Sequence, residues 1–168
     1  MACRLSYTIY FLFIINLSSC SQNKIITPEQ NTPVFVNSEI EHKAYFASGC
    51  FWCVEAIYES IIGVNNVVSG YSGGNIPNPT YEIVNTKITG HAETIEVSYD
   101  PKKINFSNLV DIYFASQDIE QINGQGPDNG PQYRSIIFYQ TEAQRDLIHN
   151  KIRDLEKNKN LKVAAEVS

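Results

Sequence analysis

Residues Lys43–Ile62 read KAYFASGCFWCVEAIYESII, and the layout of the domain follows from this stretch. Lys43–Ser48 is short, apolar and aromatic, as a buried strand is. Gly49 breaks the run. From Cys50 to Ile62 the apolar residues fall at helical spacing, and Gly63 stops the helix. Downstream, Val64–Tyr71 (VNNVVSGY) reads as a second strand, and Ser72–Pro79 as a loop rich in Gly, Asn and Pro. Ala92–Tyr99 (AETIEVSY) alternates polar and apolar residues, which predicts a strand with one wet face, ended by Pro101. Phe106–Ser116 is helical, Ser135–Tyr139 a further strand, and Thr141 caps a last helix to about Asn158, with Glu142 in its first turn. The order β-α-β-β-α-β plus a helix predicts an α+β fold. The expectation is a two-layer sandwich of the ferredoxin-like, split-βαβ plait type with an additional C-terminal helix.

Upstream the chain changes character. Arg4 precedes an apolar run, Tyr7–Leu17, followed by Ser18, Ser19 and Cys20. A basic start, a short apolar run and small residues describe a secretory signal peptide. The run falls short of the roughly 20 apolar residues that span a bilayer. Leu17-Ser18-Ser19-Cys20 also resembles the lipobox of bacterial lipoproteins. The resemblance implies cleavage before Cys20, with lipid on its thiol. Acyl chains contribute about 0.8 kcal/mol per buried CH₂, so several would hold the chain to a membrane. Ser21–Asn37 is polar and holds Pro28 and Pro33, as a tether would. The expected organisation is a signal peptide at 1–19, a lipid-anchored tether at 20–41 and a folded domain at 42–168. Its place would be the bacterial cell envelope, on the periplasmic or outer surface.

Composition sets bounds on function. Of 168 residues, 43% are hydrophobic and 18% charged, which fits a globular domain. The net charge of −5 argues against a nucleic-acid partner, which would need clustered Lys and Arg. Of the four cysteines, Cys3 and Cys20 belong to the leader and its end, while Cys50 and Cys53 stand three apart. That is no disulfide framework.

The chemistry centres on Cys50. A thiol at a strand-to-helix turn faces unpaired N–H groups and the positive end of the helix dipole, both of which favour the nucleophilic thiolate. Cys53 lies about one turn along the same face, close enough to form a disulfide if the turn loosens. Such a pair fits a thioredoxin-like disulfide exchanger, half a zinc site, or a peroxide or sulfoxide reductase. The zinc reading would draw on His91-Ala92-Glu93, but the order is reversed from the deaminase pattern and no second Cys pair exists. Between the cysteines stand Phe51 and Trp52, where thioredoxin-like pairs carry small polar residues and Pro. Two large aromatics beside a nucleophile suit an apolar guest such as a thioether methyl.

Gly49-Cys50-Phe51-Trp52 resembles the GCFW signature of the peptide methionine sulfoxide reductase A family. Gly70–Gly74 (GYSGG), Asn78–Tyr81 (NPTY), Gly90–Glu93 (GHAE), Tyr99–Pro101 (YDP), Gln125–Asp128 (QGPD) and Gln132–Ser135 (QYRS) match further family stretches in the same order. The resemblance runs from about Lys43 to Tyr139.

It implies an enzyme that reduces the S epimer of methionine sulfoxide, free or in proteins, with no cofactor and no metal. By this resemblance Cys50 attacks the sulfoxide sulfur and becomes a sulfenic acid. Glu93 donates the proton that the departing oxygen needs, which requires a neutral carboxyl held in an apolar pocket. Tyr81 and Tyr133 hydrogen-bond the same oxygen, Asp128 orders water and polar groups, and Phe51 and Trp52 wall the pocket. No Cys follows Cys53, so the CxxC subgroup is implied, with Cys53 capturing the sulfenic acid and a thioredoxin-like dithiol reducing the disulfide. The protein is expected to act as a monomer that repairs oxidised exported proteins.

Two departures stand out. The family's HDP reads Gln117-Asp118-Ile119 here, leaving the His position vacant. The chain ends at Val163–Ser168 (VAAEVS) where the family continues, so an open pocket side or lower stability is expected.

Overall fold

The computed structural model describes residues 42–168. The expected signal peptide and tether, with Cys20, lie outside the described residues.

The described residues form an α+β fold. Strand β1, His42–Ala47, leads into helix α1, Phe51–Glu59, and then into β2, Val64–Ser72. A short helix α2, Tyr81–Asn85, precedes β3, Ala92–Tyr99, and helix α3, Phe106–Ala115. Two short strands follow, β4 at Gly124–Gln125 and β5 at Asp128–Asn129, then a 3-10 turn at Pro131–Tyr133. Strand β6 is Ile136–Phe138, helix α4 is Glu142–Lys159, and β7 is Glu166–Val167. The main sheet runs β2-β3-β1-β6-β7, antiparallel throughout except for the parallel β6–β7 pair. The other two strands pair with each other as a separate hairpin.

One sheet face is packed by helices. Phe46 from β1, Ile95 and Val97 from β3, and Ile137 from β6 are fully buried against Tyr58 of α1, Leu109, Val110 and Tyr113 of α3, and Ile148 of α4. Helix α1 meets this core through Phe51, Val54 and Tyr58, the i, i+3, i+7 stripe of a one-sided helix. Fully burying such side chains stabilises by about 1.5–3 kcal/mol each. Two hydroxyls lock the layers in register. Tyr58 donates to the Leu109 carbonyl at 2.9 Å, and Tyr113 donates to the Ala47 carbonyl at 2.9 Å. The second bond fixes the end of β1, three residues before Cys50. Thr141 caps α4 by accepting from the Gln144 N–H at 3.2 Å.

Strand β3 departs from the expected wet face. It lies between β1 and β2, and every residue but Glu96 is buried. On the face of Glu96, Thr94 and Ser98 are small and buried, and the Thr94 hydroxyl donates to the Ala92 carbonyl at 2.9 Å. Glu96 alone reaches outward, to Lys43 at 2.5 Å. The last described residues join the sheet. Glu166 and Ser168 donate to the carbonyls of Ser135 and Ile137 at 2.9 and 3.1 Å, and Tyr139 donates to the Ser168 carbonyl at 2.8 Å. Val163–Ser168 thereby covers the β6 edge, which would otherwise present unpaired backbone groups. Helix α2, the β4–β5 hairpin and β7 carry too little periodicity to be read from sequence.

Candidate active site

The site is built where β1 hands over to α1. Gly49 takes φ +78°, the left-handed conformation that glycine adopts without cost. A Cβ there would stand 2.6 Å from the Gln125 Cβ, so the hairpin packs directly on this turn. Cys50 is the extended N-cap residue of α1, and its carbonyl accepts from the N–H groups of Cys53 and Val54 at 3.1 and 3.2 Å. Its side chain makes no cap bond and stays available.

The N–H of Phe51, in the first turn of α1, needs a partner outside the helix. It donates to Glu93 Oε2 at 3.0 Å. Glu93 comes from the buried centre of β3 and is 2% exposed. This bond sets the Glu93 carboxyl beside the residue that follows Cys50. Burial pushes the carboxyl up from its ordinary range, the Phe51 N–H opposes this, and nearby Asp128 adds to the rise. A carboxyl so placed holds its proton to higher pH than a solvated one.

Both cysteines are free thiols, Cys50 half-buried and Cys53 exposed. The Cys53 thiol is pushed up, first by charge on Cys50, then by burial, by a hydrogen bond with Cys50, and by Asp128 and Glu93. Cys53 thus keeps its proton while facing Cys50.

An aromatic chain surrounds these groups. Phe51 is buried, with ring centroids 5.2 Å from Trp52 and 5.5 Å from Tyr71. Trp52 is 60% exposed and stacks on Tyr81, itself 42% exposed, at 5.8 Å. Phe51 and Trp52 therefore differ: one ring is buried, the other exposed. Tyr81 opens α2, whose cap Thr80 accepts from the Ile83 N–H at 3.4 Å. The loop before it is tied to β3 by His91, whose Nε2 donates to the Ile76 carbonyl at 2.9 Å. That bond engages one of the two ring nitrogens of the histidine on which the zinc reading drew. Among the described residues, no group of three His, Cys, Asp or Glu side chains is arranged to hold a metal.

Asp128 sits on β5, and Tyr133 ends the 3-10 turn. Burial pushes the Tyr133 hydroxyl up, and Glu93, Tyr81 and Asp128 add to this. Cys50, Cys53, Phe51, Trp52, Tyr81, Glu93, Asp128 and Tyr133 therefore gather around the start of α1. Sequence reasoning did not single out Tyr71, which stands beside these groups. Burial pushes its hydroxyl up, followed by Glu93, Tyr81, Glu82 and Tyr133. The available signal was its place in Gly70–Gly74, at the end of the strand read over Val64–Tyr71.

Behind the turn, the vacant His position is filled by a working amide. Gln117 Oε1 accepts from the hydroxyls of Ser48 and Ser135, and Ser135 Oγ in turn accepts from Gln125 Nε2 at 3.2 Å. This network ties the end of β1 to the hairpin.

A family profile described as peptide methionine sulfoxide reductase matches residues 21–168. A peptide methionine sulfoxide reductase MsrA from Nautilia profundicola is 48% identical over 125 residues, covering 74% of this chain and 72% of that protein. Methionine sulfoxide reductase A of Corynebacterium diphtheriae is structurally similar, with TM-score 0.67, 30% identity, and 76% of this chain and 64% of that one covered. Mxr1 of Saccharomyces cerevisiae in reduced form gives TM-score 0.67 at 29% identity, over 75% of this chain and 74% of its own. The chain spans between 56% and 73% of the length of eight of the curated relatives it matches. On the profile match and these identities, the chain belongs to the peptide methionine sulfoxide reductase family.

Proposed function

We propose that this enzyme reduces methionine S-sulfoxide, free and in proteins, to methionine, with Cys50 as nucleophile, Glu93 as proton donor and Cys53 as resolving thiol. The Cys50 thiolate attacks the sulfoxide sulfur while the Glu93 carboxyl protonates the oxygen. That oxygen ends on Cys50, which is oxidised to the sulfenic acid as the sulfoxide is reduced to the thioether. Cys53 then attacks the Cys50 sulfur, forming the Cys50–Cys53 disulfide and releasing the oxygen as water. A thioredoxin-like dithiol reduces that disulfide and is itself oxidised.

The observation that carries this reading is the 3.0 Å bond from the Phe51 N–H to Glu93 Oε2, which brings a buried carboxyl to the residue beside the nucleophile. A buried acid next to a helix-start thiol is the pair the chemistry requires, since the oxygen must leave with a proton. Tyr81 and Tyr133 would bind that oxygen, Asp128 would order polar groups around it, and Phe51 and Trp52 would hold the S-methyl. The exposure of Cys53 suits delivery of electrons from outside.

The fold reading is a ferredoxin-like plait, supported by the order β2-β3-β1-β6 with helices as crossovers and α4 added. We place the enzyme in the bacterial cell envelope, lipid-anchored through Cys20 and acting on exported proteins, on the strength of the leader residues, and read it as a monomer.

The test is incubation of the full chain with a racemic methionine sulfoxide peptide and dithiothreitol, followed by chiral separation of what remains. Consumption of the S epimer alone is expected. Bound but unreduced peptide would make the chain a binding module. Reduction of insulin disulfides without any sulfoxide reduction would make it a disulfide exchanger.

A further inference from the structure

Glu93 shares its row of the sheet with one other polar ring. In the β2–β3 ladder Tyr71 stands directly opposite Glu93. Directly opposed residues of an antiparallel pair carry their side chains on one face, with Cβ atoms about 4.5–5.5 Å apart. The Tyr71 ring also lies 5.5 Å from the ring of Phe51, tilted by 44°. Phe51 in turn is the residue whose N–H donates to Glu93 Oε2 at 3.0 Å. Acid, backbone donor and two rings therefore close on one another from three elements: β3, the start of α1, and β2.

We propose that Tyr71 is a positioning residue for the reduction, its ring covering the Glu93 carboxyl from the β2 side and bracing Phe51 so that its N–H stays aimed at Oε2. The inference rests on reading Glu93 as the proton donor. Burial is the first cause that pushes this carboxyl up, so an aromatic cover acts on the largest contribution. Besides Tyr71, the titratable groups facing the carboxyl are Asp128 from β5, Cys53 of α1 with Cys50 at its cap, and Tyr133 from the 3-10 turn. None of these changes when Tyr71 is replaced. The Tyr71 hydroxyl is itself pushed up by burial and by Glu93, so it stays uncharged near neutrality. What it contributes is bulk, not charge.

The experiment follows the Glu93 carboxyl directly, by carbon NMR titration of the full chain labelled at glutamate, assigned through its loss in Glu93→Gln. Tyr71→Ala should lower the Glu93 midpoint by about half to one pH unit, a shift on the scale of the ordinary spread among glutamates. The kcat/KM limb that depends on the protonated carboxyl should move down with it. Tyr71→Phe keeps the ring and should match wild type in both measurements. If Tyr71→Ala fails to fold, Tyr71→Leu takes its place with the same expectation, since a flat aromatic cover is still lost. An unmoved midpoint in the ring-deleted variant overturns the proposal, as does an equal fall in Tyr71→Phe. A wild-type Glu93 that titrates in the ordinary glutamate range would refute the proton-donor reading itself, and so is distinguishable from failure of the Tyr71 inference alone.

Discussion

Glu93→Gln exchanges a carboxyl for an amide of nearly the same shape, and it separates the chemical use of Glu93 from its structural one. The amide oxygen can still accept from the Phe51 N–H, so the 3.0 Å bond that ties β3 to the start of α1 survives. The proton does not. General acid catalysis contributes typically 10²–10⁴-fold, which is about 2.7–5.4 kcal/mol at 1.36 kcal/mol per tenfold. A fall in kcat of that size is expected, with substrate binding little changed, because the aromatic wall is untouched. Stability should move independently, and with pH. Burial raises the folded carboxyl above its unfolded value, so the folded state holds a proton that the unfolded chain has released. The stability this gives is fully present below the ordinary glutamate range and is lost as pH rises through the raised folded value. The amide suffers no such loss. The melting temperature of Glu93→Gln relative to wild type should therefore improve as pH rises above the ordinary glutamate range, near about 4.3, and level off once the raised folded value is passed. Product methionine measured by chromatography and melting curves by circular dichroism give the two numbers. A variant within a few-fold of wild-type kcat would refute the acid role. A relative stability that falls with rising pH would refute the buried, proton-holding carboxyl.

Two further perturbations probe the same turn. Cys53→Ser should give about one equivalent of methionine and then stop, with the Cys50 sulfenic acid captured by dimedone and seen by mass; sustained turnover with a thioredoxin donor would sink the resolving role. Gly49→Ala places a Cβ at φ +78° and 2.6 Å from the Gln125 Cβ. The left-handed conformation costs a side chain roughly 1–2 kcal/mol and forced overlap about 1–3 kcal/mol more, so urea unfolding should show a loss of at least about 2 kcal/mol. A neutral effect would mean that the turn does not depend on this conformation.

How much of this was legible beforehand depends on whether a local pattern fixes the feature. The handover from β1 to α1 was readable because an apolar run, a glycine and a change of period all coincide at Gly49 and Cys50. The cap of α4 at Thr141 was readable for the same kind of reason. Helix α2 was not: its five residues, Tyr81–Asn85, hold one buried side chain, Val84, and no period can show over so short a span. The β4–β5 hairpin was equally hidden, because side chains strap it down. Gln121 accepts from the Gly126 N–H at 2.8 Å and Gln125 donates to the Asp118 carbonyl at 2.7 Å, bonds with no periodic signature. Strand β7 owes its existence to the open edge of β6, a property of another segment.

Strand β3 shows where the same pattern supports two readings. Alternation in AETIEVSY suggested one wet face and one dry face, and the structure buries both. The informative detail lies in parity. Glu93 falls on the row of Ile95, Val97 and Tyr99, whereas Glu96 falls on the row of Thr94 and Ser98. The even-row glutamate finds Lys43 and stays half-buried, as an ordinary surface carboxylate does. The odd-row glutamate has no such outlet: it continues the apolar stripe that packs against the helices, up to the point where α1 begins. There, among the described residues, the compensating donor is the Phe51 backbone N–H. A single neutral donor offsets the burial of an uncharged carboxyl far better than that of an anion, since an unpaired buried charge costs much more than a hydrogen-bonded acid. A carboxyl on the apolar row of a central strand, ending beside a helix-start cysteine, is thus a residue whose position already favours the form that can give up a proton.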